Sequence, residues 1–363
     1  MAPHATTEGE RSETMPGGRL HSVDELVCHL PPELRLLDNP QTAIPRIAKD
    51  KKLTSELELA VQRLPTRHTL RLEDARSLGS LKCESVHLVV TSPPYWTLKK
   101  YNDTEGQLGN LADYEVFVKE LSRVWKQCFN ALVPGGRVIC VVGDVCLSRR
   151  KNNGRHTVVP LHASIQEECR RIGYDNLAPI IWYKIANAAY EVENGSSFLG
   201  KPYEPNAVIK NDIEFILMQR KPGGYRKPSV AARVLSVIPE QMHREWFQQI
   251  WSSITGVSTR EHPAPYPLEL AERLVRMFSF VGDTVLDPFA GTGTTNLAAA
   301  KWGRNSVGFE IDPEYFSIAE KRMQEHTADL FGTTTVNSVR QSELAYSTGQ
   351  PSSLQWRHVL QGG

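Results

Sequence analysis

A glycine-rich turn between a buried strand and a helix constrains the fold of this chain more than any other feature. Phe280–Leu286 is an apolar run typical of a buried parallel strand. Gly291 and Gly293 follow it, and glycine permits a tight turn and close approach of the backbone to a ligand. A helix is predicted over Thr295–Lys301 and a second strand over Ser306–Glu310, whose terminal glutamate is placed to bind a ribose diol. This order of elements predicts an α/β fold with a mostly parallel sheet.

The residues of this turn also predict a cofactor site. A dinucleotide-binding turn would carry a third glycine, which is absent here, and Asp-Pro-Phe precedes the turn instead. A Gly-x-Gly pair alone would indicate only an ordinary turn, but the full motif followed by Gly-Phe-Glu-Ile-Asp favours cofactor binding. The candidate cofactor-binding residues are Asp287, Pro288, Phe289, Ala290, Gly291, Thr292, Gly293, Thr294, Thr295 and Glu310.

A second motif follows an earlier strand. Val86–Thr91 is rich in β-branched residues, and the next residues are Ser92, Pro93, Pro94 and Tyr95. Open α/β sheets place their chemistry at this carboxyl end of a strand. The prolines lack N–H groups and hold the backbone extended, which leaves rigid carbonyl acceptors. A proline-stiffened turn over an aromatic core is the alternative, and the presence of the first motif favours a catalytic site.

This combination suits an attack by an exocyclic amino nitrogen. The lone pair of a nucleobase amino group is delocalised into the ring, so the group is a poor nucleophile. If the Ser92 hydroxyl oxygen and the Pro93 carbonyl accept its two hydrogens, the nitrogen moves towards a tetrahedral, nucleophilic state. Tyr95 and Trp96 are placed to stack on a base that has left the duplex.

Together the motifs resemble those of the S-adenosylmethionine-dependent DNA amino-methyltransferases, in particular the cytosine-N4 group. The resemblance implies that Asp-Pro-Phe-x-Gly-x-Gly-Thr binds S-adenosyl-L-methionine and that Ser-Pro-Pro-Tyr is catalytic. In Leu72–Ala75 the resemblance implies that Asp74 contacts the adenine of the cofactor, although Glu73 replaces the family's usual glycine. Ile180–Lys184 resembles a Trp-x-Lys strand, and Glu261–Leu270 resembles a cofactor-flanking segment that includes His262 and Pro263.

The order of the motifs indicates which member of the family this is. The catalytic motif precedes the cofactor motif, which in this family marks the β group. The resemblance thus implies a circularly permuted, Rossmann-like methyltransferase fold. Its sheet would be mostly parallel, of the seven-stranded type, with an antiparallel edge.

The resemblance also implies the reaction. A methyl group would pass from S-adenosyl-L-methionine to cytosine N4 in duplex DNA, by base flipping and direct attack. Adenine-N6 methylation is the alternative. Position 92 distinguishes the two reactions, since the adenine enzymes of this family usually carry Asp or Asn there and Ser92 points to cytosine N4. Methylation of RNA or of a protein amide is a more distant alternative, since such enzymes usually have Asn and the unpermuted order.

The resemblance and the composition divide the 363 residues into five regions. These are an N-terminal extension that is partly disordered and then helical (1–65), a catalytic half (66–185), a target-recognition region (186–259) with a late antiparallel sheet strand near 214–220, a cofactor-binding half (260–328) and a flexible tail (329–363).

Charge and cysteine content limit the partners. The formal net charge is only +1, so DNA binding would need local basic patches. Lys99, Arg226 and Lys227 are candidates for such patches. The loop Arg149–Arg155 fits phosphate contact and a purely solvated loop equally well. The six cysteines lack metal-binding spacing, which predicts reduced thiols and no metal. Double-stranded DNA is the expected partner, and a cognate restriction endonuclease and a homodimer are left open. With no signal-peptide core and no membrane-spanning apolar run, a cytoplasmic, nucleoid-associated protein is expected.

Overall fold

The computed structural model describes residues 23–37, 39–98, 101–184, 211–256, 266–328 and 334–340. The strands are β1 (Arg67–Leu72), β2 (Val86–Thr91), β3 (Leu132–Val142), β4 (Val145–Leu147), β5 (Thr157–Val159), β6 (Asp175–Tyr183), β7 (Ile213–Arg220), β8 (Ile250–Trp251), β9 (Thr284–Asp287), β10 (Asn305–Glu310) and β11 (Thr335–Arg340). The helices are α1 (Val23–Cys28), α2 (Pro40–Lys49), α3 (Lys51–Val61), α4 (Tyr114–Ala131), α5 (Leu161–Ile172), α6 (Val230–Leu235), α7 (Glu240–Trp246), α8 (Leu268–Phe278), α9 (Thr294–Lys301) and α10 (Pro313–Ala328).

Nine of these strands form one sheet, in the order β11-β1-β10-β9-β2-β3-β7-β6-β8. Every neighbouring pair from β11 to β3 is parallel, and β7 runs antiparallel to both β3 and β6. The expected mostly parallel sheet is therefore confirmed. Its antiparallel strand lies inside the sheet rather than at its edge, because β6 and β8 continue beyond it.

The two motif-bearing strands are neighbours. From β9 the chain passes through α9 to β10 on one side, and from β2 it passes through α4 to β3 on the other. The direction of winding thus reverses between β2 and β9. A crevice opens at such a switch point, outside the carboxyl ends of the strands, and this is where open α/β sheets bind ligands.

Both faces of the sheet are covered by helices, and the alternation along β2 shows this directly. Val89 packs on the face covered by α4, with Phe117 and Trp125, whereas Leu88 and Val90 pack on the face covered by α8, with Leu274. Side chains alternate across a strand with a period of two, so a sheet buried on both faces has a nearly continuous apolar sequence. Asp113 begins α4 by accepting the Val116 amide at 2.9 Å.

The N-terminal extension is part of the protein core in its described portion. Leu57 and Leu64 share a buried cluster with Leu235 and Trp302. Glu58 binds the guanidinium of Arg276 at 2.9 Å. The described part of the extension therefore packs on the main domain.

Two regions differ from the sequence expectation. Thr335–Arg340 forms β11, which pairs in parallel with the whole of β1, so the expectation of a flexible tail from residue 329 is wrong for this stretch. In the expected target-recognition region the strand expected near 214–220 is β7, and β8 adds a strand to the main sheet that the sequence did not predict. Residues 185–210 and 257–265 lie outside the described part of the chain.

None of the helices in the described ranges is long and apolar enough to cross a membrane.

Candidate active site

A buried polar junction joins the two motifs. Asp287 is 1% exposed at the end of β9. Its carboxylate accepts the hydroxyl of Thr91 at 2.6 Å and the hydroxyl of Thr295 at 2.6 Å, and also the Phe289 amide at 3.0 Å. Burial raises the pKa of Asp287, while these hydrogen bonds act in the opposite direction. The Tyr266 hydroxyl also contacts the hydroxyl of Thr295. Asp287 therefore fixes the turn and aligns β9 with β2.

Glu310 forms the second buried carboxylate of the site, at the end of β10. Its Oε2 accepts the Gly291 amide at 2.7 Å and its Oε1 accepts the Asp312 amide at 2.9 Å. Burial raises the pKa of Glu310 to about 7, with the backbone hydrogen bonds opposing this shift. A carboxylate offers about four lone-pair sites. The amides of Gly291 and Asp312 and a backbone hydrogen bond from Ile311 use three of them, so Glu310 can still accept a hydrogen bond from a diol.

A cavity lies between the motifs. Ser92 and Pro94 line it from the catalytic side, and Phe289, Gly291 and Glu310 line it from the cofactor side. The other lining residues are Glu73, Asp74, Ala75, Tyr101, Gly106, Gln107, Leu108, Pro288, Phe309, Ile311 and Tyr315. The structure thus brings residues of both motifs to one cavity.

Asp74 lines the cavity and is held by a cation. Arg76 binds the Asp74 carboxylate at 2.5 Å and the Glu120 carboxylate at 2.8 Å. The hydrogen bond to Asp74 is the main cause of the raised pKa of Arg76. Arg76 also donates to the Gly106 carbonyl at 3.3 Å, and a Cβ on Gly106 would lie 2.9 Å from the guanidinium. This wall of the cavity is therefore closely packed.

Ser92 is half-buried and belongs to a chain of hydrogen bonds that leads away from the cavity. Ser92 Oγ lies 3.2 Å from Tyr95 Oη, which lies 3.2 Å from Glu214 Oε2. Lys184 Nζ donates to Glu214 Oε1 at 2.6 Å. Burial is the main cause of the raised Tyr95 pKa, and the charge of Glu214 adds to it, so Tyr95 keeps its proton.

The structure places the remaining predicted residues in different settings. Pro93 is buried, as are Ala290, Thr292, Gly293 and Thr294, which shape the turn behind the cavity wall. Trp96 is half-buried, has a positive φ of 47° and packs edge-on against Tyr114 with ring centroids 5.1 Å apart. Lys99, His262 and Pro263 lie outside the described residues.

Arg226 and Lys227 are not at the active-site end of the sheet. Arg226 pairs with Asp283, which immediately precedes β9, and its Nη1–Oδ2 distance is 2.7 Å. Lys227 lines a separate cavity with Asp283 and His87, the second residue of β2. The amino ends of β2 and β9 are at the opposite end of the sheet from Ser92. Arg226 is thus paired within the protein, and DNA contact by Arg226 and Lys227 stays a prediction.

Sequence reasoning missed Glu214, gave no role to Lys184 and missed Arg76. Glu214 carried a usable signal, since it is the sole acid in the apolar strand Ile213–Arg220 and is only 7% exposed. An acid buried in a strand needs a partner, which points to function or to an ion pair. Arg76 carried no such signal, because its two carboxylate partners are 2 and 44 positions away.

The cavity fits the methyl donor that the sequence resemblance implies. Glu310 offers acceptors for a ribose diol, and Phe289 and Ile311 supply apolar surface for a purine. Among the described residues, no group of three or more His, Cys, Asp or Glu side chains could hold a metal ion.

Comparisons with known proteins agree with this geometry. A family model described as DNA methylase matches residues 86–321. The Type II methyltransferase M.MjaI of Methanocaldococcus jannaschii is 36% identical over 291 residues, which cover 72% of this chain and 92% of that protein. M.MthZI of Methanothermobacter thermautotrophicus is 34% identical over 284 residues, with 72% and 78% covered.

A solved structure is also similar. A candidate DNA modification methylase from Thermus thermophilus, in complex with S-adenosyl-L-methionine, is 50% identical, with a TM-score of 0.62. The match covers 76% of this chain and 98% of that one. With the family model spanning both motifs and the cavity between them, the chain belongs to the N6/N4 DNA methylase family and is an S-adenosylmethionine-dependent DNA methyltransferase.

Proposed function

We propose that this methyltransferase modifies the exocyclic N4 of cytosine in duplex DNA, with the β-group order of motifs. The observation that carries the proposal is that Ser92 and Pro94 line the same cavity as Phe289, Gly291 and Glu310. A base placed against the catalytic motif would then face the methyl donor directly. Serine at position 92 favours cytosine over adenine, for which Asp or Asn is the usual residue.

The reaction requires the base to leave the duplex. An amino nitrogen inside a base pair is stacked and hydrogen-bonded, so base-modifying enzymes flip the nucleotide into a pocket. Ser92 Oγ and the Pro93 carbonyl would accept the two amino hydrogens, which returns the lone pair to nitrogen. The nitrogen then attacks the methyl carbon in line with the bond to sulfur. Tyr95, the last residue of this motif, is buried, and Trp96, the next residue, is half-buried.

Covalent catalysis through a cysteine does not fit this site. Cys128, Cys140 and Cys169 are buried, and burial raises the pKa of each thiol, which suppresses the reactive thiolate. Position 95, directly after the two prolines, is Tyr rather than the Cys that a carbon-5 methyltransferase needs. Direct attack by nitrogen needs no covalent intermediate, so none of the six cysteines is assigned a chemical role.

The duplex would approach the carboxyl ends of the strands. Arg149 and Arg150 are exposed in a short 3-10 helix between β4 and β5, beyond the carboxyl end of β3. Cations at this end of the sheet are suited to bind phosphates next to a flipped base. We assign this segment to the DNA-binding surface, in preference to the patch around Arg226.

Mass spectrometry of nucleosides tests the proposal. The purified protein is incubated with unmethylated genomic DNA and S-adenosyl-L-methionine, and the DNA is then digested to nucleosides. The expected product is N4-methylcytosine, which should be lost with Ser92→Ala. If the product is N6-methyladenine instead, the target base is adenine and not cytosine. 5-Methylcytosine would contradict the direct-attack mechanism.

A further inference from the structure

Four side chains form a continuous line from the cavity into the interior of the protein. Ser92 lines the cavity, Tyr95 lies behind it on the same segment, and Glu214 follows on β7. Lys184, just after β6, closes the line. The three chain segments that contribute these residues meet only in the folded protein. The sequence separations of Tyr95 to Glu214 and of Lys184 to Glu214 are 119 and 30 residues.

The acceptors in this line fix the direction of its hydrogen bonds. The Tyr95 hydroxyl has two partners apart from Ser92: Glu214 Oε2 at 3.2 Å and the Val141 carbonyl at 3.4 Å. Both are acceptors only, because a carbonyl and a carboxylate in an ion pair carry no hydrogen to donate. Tyr95 must therefore donate its single hydrogen to one of them. Its oxygen is then left to accept, so Ser92 is the donor of the Ser92–Tyr95 bond.

This direction determines what Ser92 offers to the cavity. A serine hydroxyl has one hydrogen and two lone pairs. With its hydrogen committed to Tyr95, Ser92 presents only lone pairs to a ligand. That is the state needed to accept a hydrogen from an amino group, and a freely rotating hydroxyl would hold this state only part of the time.

We propose that Ser92, Tyr95 and Glu214 form a proton relay that carries away the proton released by the methylated amino nitrogen, with Glu214 as its terminal acceptor. Lys184 positions Glu214 by binding its other carboxylate oxygen. This inference rests on the proposed attack by an exocyclic amino group, but it holds for either cytosine or adenine. Of the three relay residues, only Ser92 touches the base, whereas Tyr95 and Glu214 act through Ser92.

The relay balances the reaction. The nitrogen lone pair forms the bond to the methyl carbon, and the carbon–sulfur bond breaks with its electron pair going to sulfur, which becomes a neutral thioether. The methylated nitrogen is now cationic and gives one proton to Ser92 Oγ. As it does so, the Ser92 hydrogen passes to Tyr95 Oη and the Tyr95 hydrogen passes to Glu214 Oε2. The N–H electron pair returns to nitrogen, and Glu214 later releases its proton to solvent.

Single-turnover rates on unmethylated genomic DNA test this relay, with tritiated S-adenosyl-L-methionine at saturation. Tyr95→Phe removes the central hydroxyl, and Glu214→Gln keeps the shape and an accepting oxygen but cannot take up a proton. Each change should slow methyl transfer by about 10²-fold, the lower end of what a positioned proton acceptor contributes. The dissociation constants for the cofactor and for DNA should stay unchanged. Glu245→Gln is the matched control, since Glu245, like Glu214, binds a cationic side chain, that of Arg273, and should retain the wild-type rate.

Three comparisons separate a relay from a merely structural network. The double variant should be no slower than the slower single variant, because both changes interrupt one pathway. Glu214→Asp should recover part of the rate that Glu214→Gln loses, whereas a structural role would favour the isosteric Gln. The wild type should react more slowly in deuterium oxide, and Tyr95→Phe should lose this isotope effect.

The outcomes are separable from those of the proposed function. A wild-type rate for Glu214→Gln, or losses that multiply in the double variant, would overturn the relay whatever base is methylated. An unexpected nucleoside from the wild-type protein would overturn the choice of base and leave the relay to be judged by its own rates.

Discussion

Thr91 Oγ1 donates a hydrogen bond to Asp287 Oδ1 over 2.6 Å, although the two residues are 196 positions apart in the chain. Thr91 is the last residue of β2 and Asp287 is the last residue of β9, and both are buried. The contact therefore links the strand that carries the catalytic motif to the strand that carries the cofactor motif. It fixes the carboxyl ends of β2 and β9 relative to each other, and these two strand ends lead into the walls of the cavity.

Thr91→Val should lower both stability and activity. Valine keeps the shape and the β propensity but leaves a buried carboxylate with one hydroxyl donor fewer. A hydrogen bond to a charged group contributes about 1.5–3 kcal/mol, so the free energy of unfolding should fall by an amount of this order. Urea denaturation measures it, and Thr97→Val, at an exposed position near the same loop, is the control. A loss no larger than that of the control would show that Asp287 does not depend on Thr91.

Gly291→Val should abolish binding of S-adenosyl-L-methionine. Gly291 lines the cavity and has a positive φ of 52°, so a valine would be strained and would project into the space for the ligand. Gly154→Val imposes similar strain at a φ of 79°, with no atom within 4 Å of its Cβ, and it serves as the matched control. Calorimetric titration of both folded variants is the measurement. Unchanged affinity in Gly291→Val would remove this turn from the cofactor site.

The buried Glu310 should make both stability and cofactor binding depend on pH. Its pKa is raised from the ordinary 4.5 to about 7. Between these values the folded protein holds a proton that the unfolded chain has released, so the free energy of unfolding falls as the pH rises through this window. At one pKa unit per 1.36 kcal/mol, the loss is about 3 kcal/mol, and it levels off above pH 7. Glu310→Gln should lack this slope when its unfolding is compared with that of the wild type.

The same group predicts the pH dependence of affinity. An ionised Glu310 accepts hydrogen bonds from a ribose diol better than a protonated one, so the affinity of the wild type should rise from pH 5 to pH 7 with release of a proton. Calorimetry in buffers of different ionisation enthalpy measures this proton. Glu310→Gln should bind more weakly and without proton release, and a wild-type proton count in this variant would assign the linkage to another group.

Arg150→Gln should change DNA affinity, whereas Arg226→Gln should change the free energy of unfolding. Arg150 is exposed at the active-site end of the sheet, so its loss should weaken DNA binding and reduce the salt dependence of that binding. Arg226 pairs with Asp283, which is 6% exposed, so its loss should lower the free energy of unfolding by about 1.5–3 kcal/mol and leave DNA affinity unchanged. Salt titrations of DNA affinity, with urea denaturation alongside, compare the two. A reversed pattern would return the DNA surface to the Arg226 patch.

Local sequence patterns predicted the elements that carry the motifs with little error. The strand predicted over Val86–Thr91 has those bounds in the structure. The predicted strand Phe280–Leu286 is shorter, Thr284–Asp287, because Phe280 and Asp283 form a turn closed by a backbone hydrogen bond of 3.0 Å. The strand Thr335–Arg340 was missed, since its polar sequence becomes a strand only where β1 offers it an open edge.

The amino-acid sequence by itself determined the chemistry that this protein carries, because both motifs are short, contiguous and tied to the ends of strongly apolar strands. It predicted the turn at Gly291, the acid at Glu310 and the acceptor at Ser92. Only the tertiary structure decided which distant groups meet them: Asp287 with Thr91, Tyr95 with Glu214, and Arg226 with Asp283. Each of these pairs depends on strand order and register, which arise from the packing of the whole sheet and leave no trace in the local sequence.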